Sequence, residues 1–579
     1  MRLMLVTYRF GHEIIGGGER YLWNLVTHLA ARGHQVEVFT TCSRNMVFSP
    51  YGYLVWDNFL PRGTESRDGI TIHRFPVKNP RPRKGRRNAR ALNRYLPKER
   101  MDPDFAMKLA ETMEGISEHC LLSGWHVFEE RADGPGRWMG ESARLLVGGE
   151  SMTELRMEVH SPLDNPLTVE LNGLSTWEFE MIKGKVREIV LTFDACRRLF
   201  VDIKVPGSFV PPEDGRTLGL DFRTISVRDG GRLRNLDMRR DWDDLVRTYP
   251  ETLLGDILWS AARRRPSSIN RMQRYLIGPR VPGLRREAAR AAAGCDLVLA
   301  SMVPMTTVPL AAKVSAKAGK PLVIFPLFHA RDPNHYWEHF RVALEGASGV
   351  DANLPVVAES MRCWGFPAFS VGPGLDTEEF LSPSIDGRRF RSEFGFGDKP
   401  ILLWIARKNV LKGYREAIQA VRQVRAEGID AVLVMIGPEE DYLPIGGEGV
   451  FYLGVLPRDK VLDAFDACDM LVFPSLHESF CLVFCEAWLR RKPVLGNKYC
   501  IAARGLIEHG KDGYLCADTE ELGRYALELL RRPELAREMG IRGHDKVMGT
   551  RGWEHIVSEL EKKLEEIKDG PEPPPAAVT

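Results

Sequence analysis

The first forty residues place the strongest constraint on the fold. Leu3–Thr7 is an apolar run of strand length, followed by a loop ending in Gly16-Gly17-Gly18. Glu19–Arg32 then sets Tyr21, Leu22, Leu25, Val26 and Leu29 on one helical face. Gly33 stops that helix, and Gln35–Thr40 has the pattern of a second strand. Strand, glycine-rich turn, helix and strand in this order open a parallel α/β sheet. Glycines at such a turn permit positive φ and close backbone approach. The helix that follows aims its free N–H groups at the loop, as an anion site requires. On this feature alone, a plain tight turn and an anion site stand level. No Gly-x-Gly-x-x-Gly occurs here, so a dinucleotide site is not supported.

The α/β pattern stops and later resumes. From about Gly124 to Val227 the chain has short alternating segments: Ala143–Val147, Leu155–Val159, Leu167–Leu171, Glu188–Phe193, Leu199–Val205 and Leu218–Ile225. Many short strands separated by turns predict an all-β sandwich, inserted because α/β texture returns after it. Asp296–Ser301 and Pro321–Phe325 then read as strands around a helix over Pro309–Ala318. A second α/β unit starts near Val371, with strands at Ile401–Ile405, Ala431–Ile436 and Leu471–Phe473 and helices at Tyr414–Glu427, Val461–Ala467 and Phe480–Arg491. The organisation expected is a first lobe over 1–117 and 232–370, the insert over 118–231, and a second lobe over 371–552. An amphipathic helix over 553–568 and a disordered tail over 569–579 complete it.

Composition excludes several classes. The 579 residues suggest roughly three to four domains. With 44% hydrophobic and 27% charged residues, wholesale disorder is ruled out. No segment approaches the roughly 18 uncharged apolar residues that span a bilayer, and Arg9, His12 and Glu13 interrupt the N-terminal apolar run early, which argues against a signal peptide. The ten cysteines contain no Cys-x-x-Cys pair and read as reduced thiols of a cytosolic protein. The net charge of +2 names no partner, but charge is segregated. Ten basic residues in Lys78–Arg100 oppose only Glu99, and nine in Arg263–Arg290 oppose only Glu287.

The chemistry-bearing residues cluster in the second lobe. In Pro474-Ser475-Leu476-His477-Glu478-Ser479-Phe480-Cys481-Leu482, Glu478 sits in a strand-to-helix loop, and Glu486 lies two turns into the next helix. Open α/β sheets bind ligands at this carboxyl edge, and the N–H groups of Ser479–Leu482 are placed to face a phosphate. Arg407 and Lys412 flank the loop after Ile401–Ile405, with Gly413 opening a helix. Two cations at a helix N-terminus suit a diphosphate whose leaving charge must be neutralised.

These residues resemble the retaining, nucleotide-sugar-dependent glycosyltransferases of the GT-B fold, family 4 group. Gly16-Gly17-Gly18-Glu19 is similar to that family's Gly-Gly-x-Glu loop, Ala406-Arg407 and Lys412-Gly413 to its donor loop, and Glu478 to Glu486 to its Glu-x7-Glu element. The resemblance implies two Rossmann-like lobes facing a cleft. It implies that Arg407 and Lys412 hold the donor diphosphate, Glu478 the transferred sugar and Glu486 the ribose. Ser479, Phe480, Cys481 and Leu482 would line the donor site, Gly16, Gly17 and Gly18 would approach phosphate or acceptor, and His329 would contact the sugar. No metal and no other cofactor are expected. Two departures bear on the donor. Ser479 and Cys481 replace glycines, so a positive φ there would be strained, and Tyr499-Cys500-Ile501-Ala502-Ala503-Arg504 stands where the family has Gly-Gly-x-Pro-Glu.

The function expected is transfer of a hexosyl group, with retention, from a nucleotide-diphosphate sugar to a saccharide or lipid-linked acceptor in cell-surface polysaccharide or glycoconjugate synthesis. Front-face attack is favoured, since no nucleophile is evident. The alternative is a carbohydrate-binding or scaffolding protein on a non-catalytic frame, with Trp125, Trp138 and Trp177 of the insert either stacking on sugars or filling its core. Asp241-x-Asp243 reads as a solvated patch rather than a metal motif. The expected location is cytoplasmic, with the basic runs either solvated or peripheral on an anionic membrane face; nucleic acid ranks last because no aromatic-rich RNA motif accompanies them.

Overall fold

The computed structural model describes residues 1–570 apart from 15, 100–104, 106–107, 110, 113–117, 132–133 and 212–215. The expected disordered tail beyond 570 and Arg100 of the first basic run therefore lie outside the described residues. The chain forms two compact units, one of Met1–Arg86 with Ser267–Thr579 and one of Arg87–Pro266.

The first unit begins with β1 (Arg2–Val6), β2 (Gln35–Thr41), a hairpin of β3 (Met46–Phe48) and β4 (Leu54–Trp56), β5 (Gly63–Arg67) and β6 (Ile70–Phe75). The second unit holds β7 (His119–Arg131), β8 (Gly134–His160), β9 (Asn165–Leu171), β10 (Ser175–Met181), β11 (Val186–Lys204), β12 (Asp221–Asp229) and β13 (Arg232–Asn235). The first unit then resumes with β14 (Leu297–Ser301), β15 (Leu322–Phe325), β16 (Gly349–Asp351) and β17 (Ala368–Phe369). It ends with β18 (Ile401–Ile405), β19 (Val432–Ile436), β20 (Val450–Tyr452), β21 (Met470–Phe473), β22 (Val494–Asn497) and β23 (Gly513–Cys516).

The first unit contains two α/β lobes. The first sheet has the order β17-β16-β15-β14-β1-β2-β6-β5 and the second β20-β19-β18-β21-β22-β23. All pairs are parallel except β5 with β6. Burial on both faces explains why the central strands β1, β14, β15, β18, β19 and β21 are nearly continuous apolar runs, whereas β5 and β6 toward one edge are exposed or alternate. In each sheet the first strand of the lobe, β1 or β18, lies between a neighbour that follows it directly in the sheet path and one reached by a long crossover. That reversal is the topological switch point, where α/β sheets open a crevice at their carboxyl edge.

The helix α1 (Gly17–Ala31) buries Tyr21, Leu22, Leu25, Val26 and Leu29 against the first sheet. The amphipathic helix anticipated near the C-terminus spans Trp553–Asp569 and packs back on this first lobe. Trp553, Ile556, Val557, Leu560 and Leu564 join the core of β1 and α1. Trp553 lies against Tyr21 and His28, with ring centroids 6.3 and 4.9 Å apart. Glu561 pairs with Arg32 at 2.8 Å and His34 at 2.8 Å. The last helix thus ties the chain's end to its beginning.

The second unit departs from expectation in three ways. First, the six short segments anticipated there are fewer and longer strands: Ala143–Val147 and Leu155–Val159 are two arms of β8, and Glu188–Phe193 and Leu199–Val205 two arms of β11. Second, all seven strands share one hydrogen-bonded sheet instead of the two sheets of a sandwich. Asp221 of β12 pairs with both Trp138 and His160 of β8. A straight strand would hold those two about 70 Å apart at 3.2–3.4 Å per residue, so β8 must bend. The bend falls near Gly148–Met152, opposite the register shift of β11 at Thr192–Arg198, where Asp229 accepts the N–H groups of Glu150 and Ser151. Both arms then face one core, from Met139 and Leu145 to Leu155 and Met157. Third, this unit is wider than 118–231, because it takes in helices Trp242–Thr248 and Glu251–Arg264. Asp241 is no solvated patch: it caps the first of these helices through the N–H groups of Asp243 and Asp244 and pairs with Arg137 at 2.7 Å. Trp125 and Trp177 pack against the core, and Trp138 meets Phe209 edge-on.

Leu560→Ala should lower the stability of the first unit by about 2–5 kcal/mol, the range for emptying a buried leucine site. The expected readout is a lower urea midpoint, with the second unit's β-rich circular dichroism unchanged at that concentration.

Candidate active site

The loops after β18 and β21 meet at the second lobe's switch point. Gly413 adopts φ +72° and starts the helix Tyr414–Ala426. A Cβ there would lie 2.6 Å from the Pro474 carbonyl oxygen, so only glycine lets the two loops touch. The preceding residue is fixed by Trp404, whose buried indole N–H donates to the Lys412 carbonyl at 3.1 Å. Lys412 Nζ reaches Glu478 Oε1 at 2.6 Å and donates to the His477 carbonyl at 3.2 Å. Ser475 Oγ donates to the same Glu478 oxygen at 2.8 Å. Two sequence-distant residues are thereby locked into one charge pair at the mouth of the sheet.

Arg407 behaves differently. It is 51% exposed and pairs with Glu440 at 2.8 Å, while Asn409 Nδ2 donates to the other Glu440 oxygen at 2.7 Å. The loop's inner anchor is a residue sequence reasoning passed over. The Lys408 side chain is 0% exposed, and its ammonium contacts Glu439 at 2.8 Å, Asp441 at 2.7 Å and the Leu443 carbonyl at 2.7 Å. Burial alone would lower its pKa, but Asp441 and Glu439 outweigh this and hold it above the ordinary lysine value. A run of Arg407-Lys408 signals charge, not that one of the pair turns inward.

The helix expected from Phe480 spans Leu482–Leu489, with Cys481 as its N-cap at φ +75°. Of the two positions where glycine is replaced, only Cys481 keeps the left-handed conformation, and Ser479 does not. A Cβ in that region costs roughly 1–2 kcal/mol. Glu486 sits inside this helix, 3.7 Å from Arg458. Arg458 also donates to Glu379 from Nε at 2.8 Å, and Glu379 reaches Arg20 of α1 at 3.0 Å. Glu486 is thus linked through two bridging residues to the first lobe, a chain no local motif announces.

In the first lobe the glycine turn follows β1, also at a switch point. None of Gly16, Gly17 and Gly18 lies in the left-handed region, and Gly16 is extended at φ 169°. A Cβ at Gly16 would displace the Glu19 carboxylate from its present place, and one at Gly18 would push aside the ends of Met302 and Leu327; Gly17 faces open space. Glu19 is buried and takes hydrogen bonds from Tyr8 and Arg9. Burial and Glu19 push the Tyr8 phenol well above its usual range.

His329 lies two residues beyond Leu327, in the loop after β15. Its backbone N–H donates to His335 Nδ1 at 3.1 Å. Burial, helped by His335, Lys412, His477 and Arg407, holds the His329 pKa well below 6.5, so the ring is neutral. These influences place His329 within electrostatic reach of Lys412 and Arg407 across the lobes. Burial likewise lowers His477, against the opposing pull of Asp332. Arg331 Nε donates to the Tyr499 carbonyl at 2.6 Å, joining this loop to the segment that replaces the family's glycine-rich one. The site offers a cationic corner at a helix N-terminus, a carboxylate acceptor and a neutral imidazole. Among the described residues, no three His, Cys, Asp or Glu side chains are grouped to hold a metal ion.

Comparison with known proteins agrees with this geometry. Residues 387–546 match the family described as Glycosyl transferases group 1, and residues 16–107 match the Glycosyl transferase 4-like domain. An N-acetyl-alpha-D-glucosaminyl L-malate synthase of Bacillus anthracis is 29% identical over 187 residues, 30% of this chain and 48% of that protein. A GDP-mannose-dependent alpha-(1-6)-phosphatidylinositol monomannoside mannosyltransferase of Mycolicibacterium smegmatis is 25% identical over 199 residues, 31% of this chain and 52% of that protein. The chain thus spans about half the length of these curated relatives. The sucrose-phosphate synthase structure from Thermosynechococcus elongatus shares the fold, with a TM-score of 0.50, 13% identity and coverage of 98% of this chain and 99% of that one. Two Rossmann-like lobes with a charge pair at the second switch point define the GT-B class. The chain has the GT-B fold, and its segments 16–107 and 387–546 are similar to glycosyltransferase domains.

Two outcomes follow from this geometry. Gly413→Ala should cost at least about 1 kcal/mol from its left-handed φ alone, read as a lower urea midpoint of the first unit. His335 is buried neutral, with its pKa lowered to about 4 by burial and by His477 against the pull of Asp332. The unfolded chain therefore binds more protons between pH 6.5 and 4, and stability is lost as pH falls through that window, by roughly 3 kcal/mol from this residue at most. Urea midpoints measured down this pH range should fall. They should fall less in His335→Asn, whose amide oxygen accepts the His329 N–H without titrating.

Proposed function

We propose that this chain transfers a hexosyl group, with retention, from a nucleotide-diphosphate sugar to a saccharide or lipid-linked acceptor of the cell surface. The Lys412–Glu478 pair carries the reading. An ammonium held at a helix N-terminus is suited to the charge that develops on a departing diphosphate, and a carboxylate beside it is suited to the hydroxyls of the sugar. Arg407 supplies a second cation once it exchanges Glu440 for phosphate, and Glu486 exchanges Arg458 for the ribose. The glucosaminyl L-malate synthase and the GDP-mannose-dependent mannosyltransferase that this chain partly resembles are named for glycosyl and nucleotide-sugar chemistry, which supports the same class.

In this reading the bond from the anomeric carbon to the diphosphate oxygen breaks, and its electron pair stays on that oxygen beside Lys412. The acceptor hydroxyl attacks from the same face and passes its proton to the departing oxygen. His329, neutral, positions the sugar rather than carrying charge. No metal takes part, since Lys412, Arg407 and the helix N-terminus supply the positive charge. An acceptor presented at an anionic membrane surface belongs to the same reading.

A nucleotide-release assay over UDP-, GDP-, ADP- and TDP-sugars, with product anomers resolved by NMR, tests this. Turnover of one donor class with α product is expected. Lys412→Ala and Glu478→Ala should each lower kcat by about 10²–10³, the scale for removing one charge-stabilising group, with an unchanged circular dichroism spectrum. Full turnover by either variant would sink the site assignment. Saccharide binding without turnover of any donor would favour a non-catalytic frame.

A further inference from the structure

Exposed apolar side chains are unevenly spread over the first lobe. Among its described residues, four of the five large exposed ones fall within 47–59: Val47 at 61%, Phe48 at 69%, Tyr51 at 48% and Phe59 at 66%. They sit on and beside the β3–β4 hairpin, whose other members, Leu54 and Trp56, face inward. The hairpin's inner side is therefore satisfied, and its outer side presents aromatic rings to solvent.

Cations surround those rings. Arg44 lies over Phe59 at 4.4 Å and Arg86 over Tyr51 at 5.2 Å. Arg86 belongs to α2 (Pro82–Glu99), the first basic run, which the sequence could not place. Gly85 explains the contact: a Cβ there would meet the Tyr53 ring at 3.0 Å, so the glycine lets α2 lie on the hairpin. Arg81 just before α2, and Arg83 and Lys84 in its first turn, remain exposed.

The second basic run meets the first at Tyr275. Lys84 and Arg280 both lie over its ring, at 4.8 and 4.9 Å, and its hydroxyl accepts the Arg81 N–H at 2.9 Å. Two runs nearly two hundred residues apart thus form one basic surface with an aromatic hairpin beside it. Nearby carboxylates are already engaged. Asp57 accepts the N–H groups of Arg44 and Asn45, and Glu287 pairs with Arg286 and Arg290.

We propose that this surface docks on an anionic lipid bilayer, with the β3–β4 hairpin entering the headgroup layer and the cations at the start of α2 lying on the phosphates. This deepens the membrane part of the reading above and rests on it. Aromatic rings with an apolar body and a polar neighbourhood are the residues that settle at membrane interfaces. Each basic residue near an anionic surface adds about fivefold to binding. Neither element suffices alone, because stable attachment takes an apolar anchor and a polybasic patch together. A single-stranded nucleic acid could stack bases on Phe48 and Phe59, but the exposed Val47 beside them offers it nothing, whereas the headgroup–acyl boundary accepts all four apolar side chains.

The test is co-sedimentation of the full chain with vesicles of phosphatidylcholine, with and without phosphatidylglycerol. The wild-type chain should pellet only with phosphatidylglycerol and should be released by salt. Phe48→Ser with Tyr51→Ser should weaken binding roughly tenfold or more, from lost apolar burial. Arg83→Glu with Lys84→Glu should weaken it at least as much. All four side chains are exposed, so the fold should be unaffected, and nucleotide release with a soluble acceptor should match wild type. Phe48→Trp should add emission that brominated acyl chains quench. Wild-type binding with undiminished affinity in the serine variant would overturn the hairpin's role while leaving peripheral attachment standing. No wild-type binding at low salt would overturn both without touching the transferase reading. Serine substitutions that change only self-association would make this face a contact between copies instead.

Discussion

Contact between the loops after β18 and β21 is the constraint on which the second lobe's site depends. Gly413 can lie against the Pro474 carbonyl only because it has no Cβ and tolerates φ +72°. That approach lets the Lys412 ammonium reach the Glu478 carboxylate at 2.6 Å. Both groups are mostly withdrawn from water, so breaking the pair by removing one partner leaves an under-compensated charge. The pair also preorganises the site, since cation and acceptor are in place before a ligand arrives.

Around this contact the charges form two tiers. The inner tier is structural: Lys408 binds Glu439 and Asp441 and fixes the loop from behind, and Glu19 binds Tyr8 and Arg9 beneath the glycine turn. The outer tier is exchangeable: Arg407 rests on Glu440, and Glu486 rests on Arg458, at greater exposure and in the latter case at 3.7 Å. Groups meant to receive a ligand need partners that can be surrendered, whereas groups that hold a loop do not. The Arg20–Glu379–Arg458–Glu486 chain adds a connection between lobes through side chains of ordinary surface type.

Much of this was legible in the sequence. The strands β1, β14, β15, β18, β19 and β21 lie within a residue or two of their expected spans, because parallel strands buried on both faces are largely apolar, and β2 was legible from its alternating start after Gly33. The second unit was harder. Its strands were read as short pieces because bends and bulges look like turns locally, and β8 reveals its continuity only through pairing with β11 and β12. The glycines of the first turn were read for positive φ and for close approach, and only close approach operates, at Gly16 beside Glu19 and at Gly18 beside Met302 and Leu327.

The sequence by itself determined the two α/β lobes, the strand-end position of Lys412 and Glu478, and the segregation of charge into two basic runs. These are local properties, fixed by periodicity, by spacing and by residue type. Only the tertiary structure decided which charges meet. It buried Lys408 and left its neighbour Arg407 exposed, gave Glu486 to Arg458, set His329 against His335, and joined the two basic runs at Tyr275 beside an aromatic hairpin. The physical reason is that a charge's partner is set by distance in space, and a folded chain brings together residues whose separation along the sequence carries no signal.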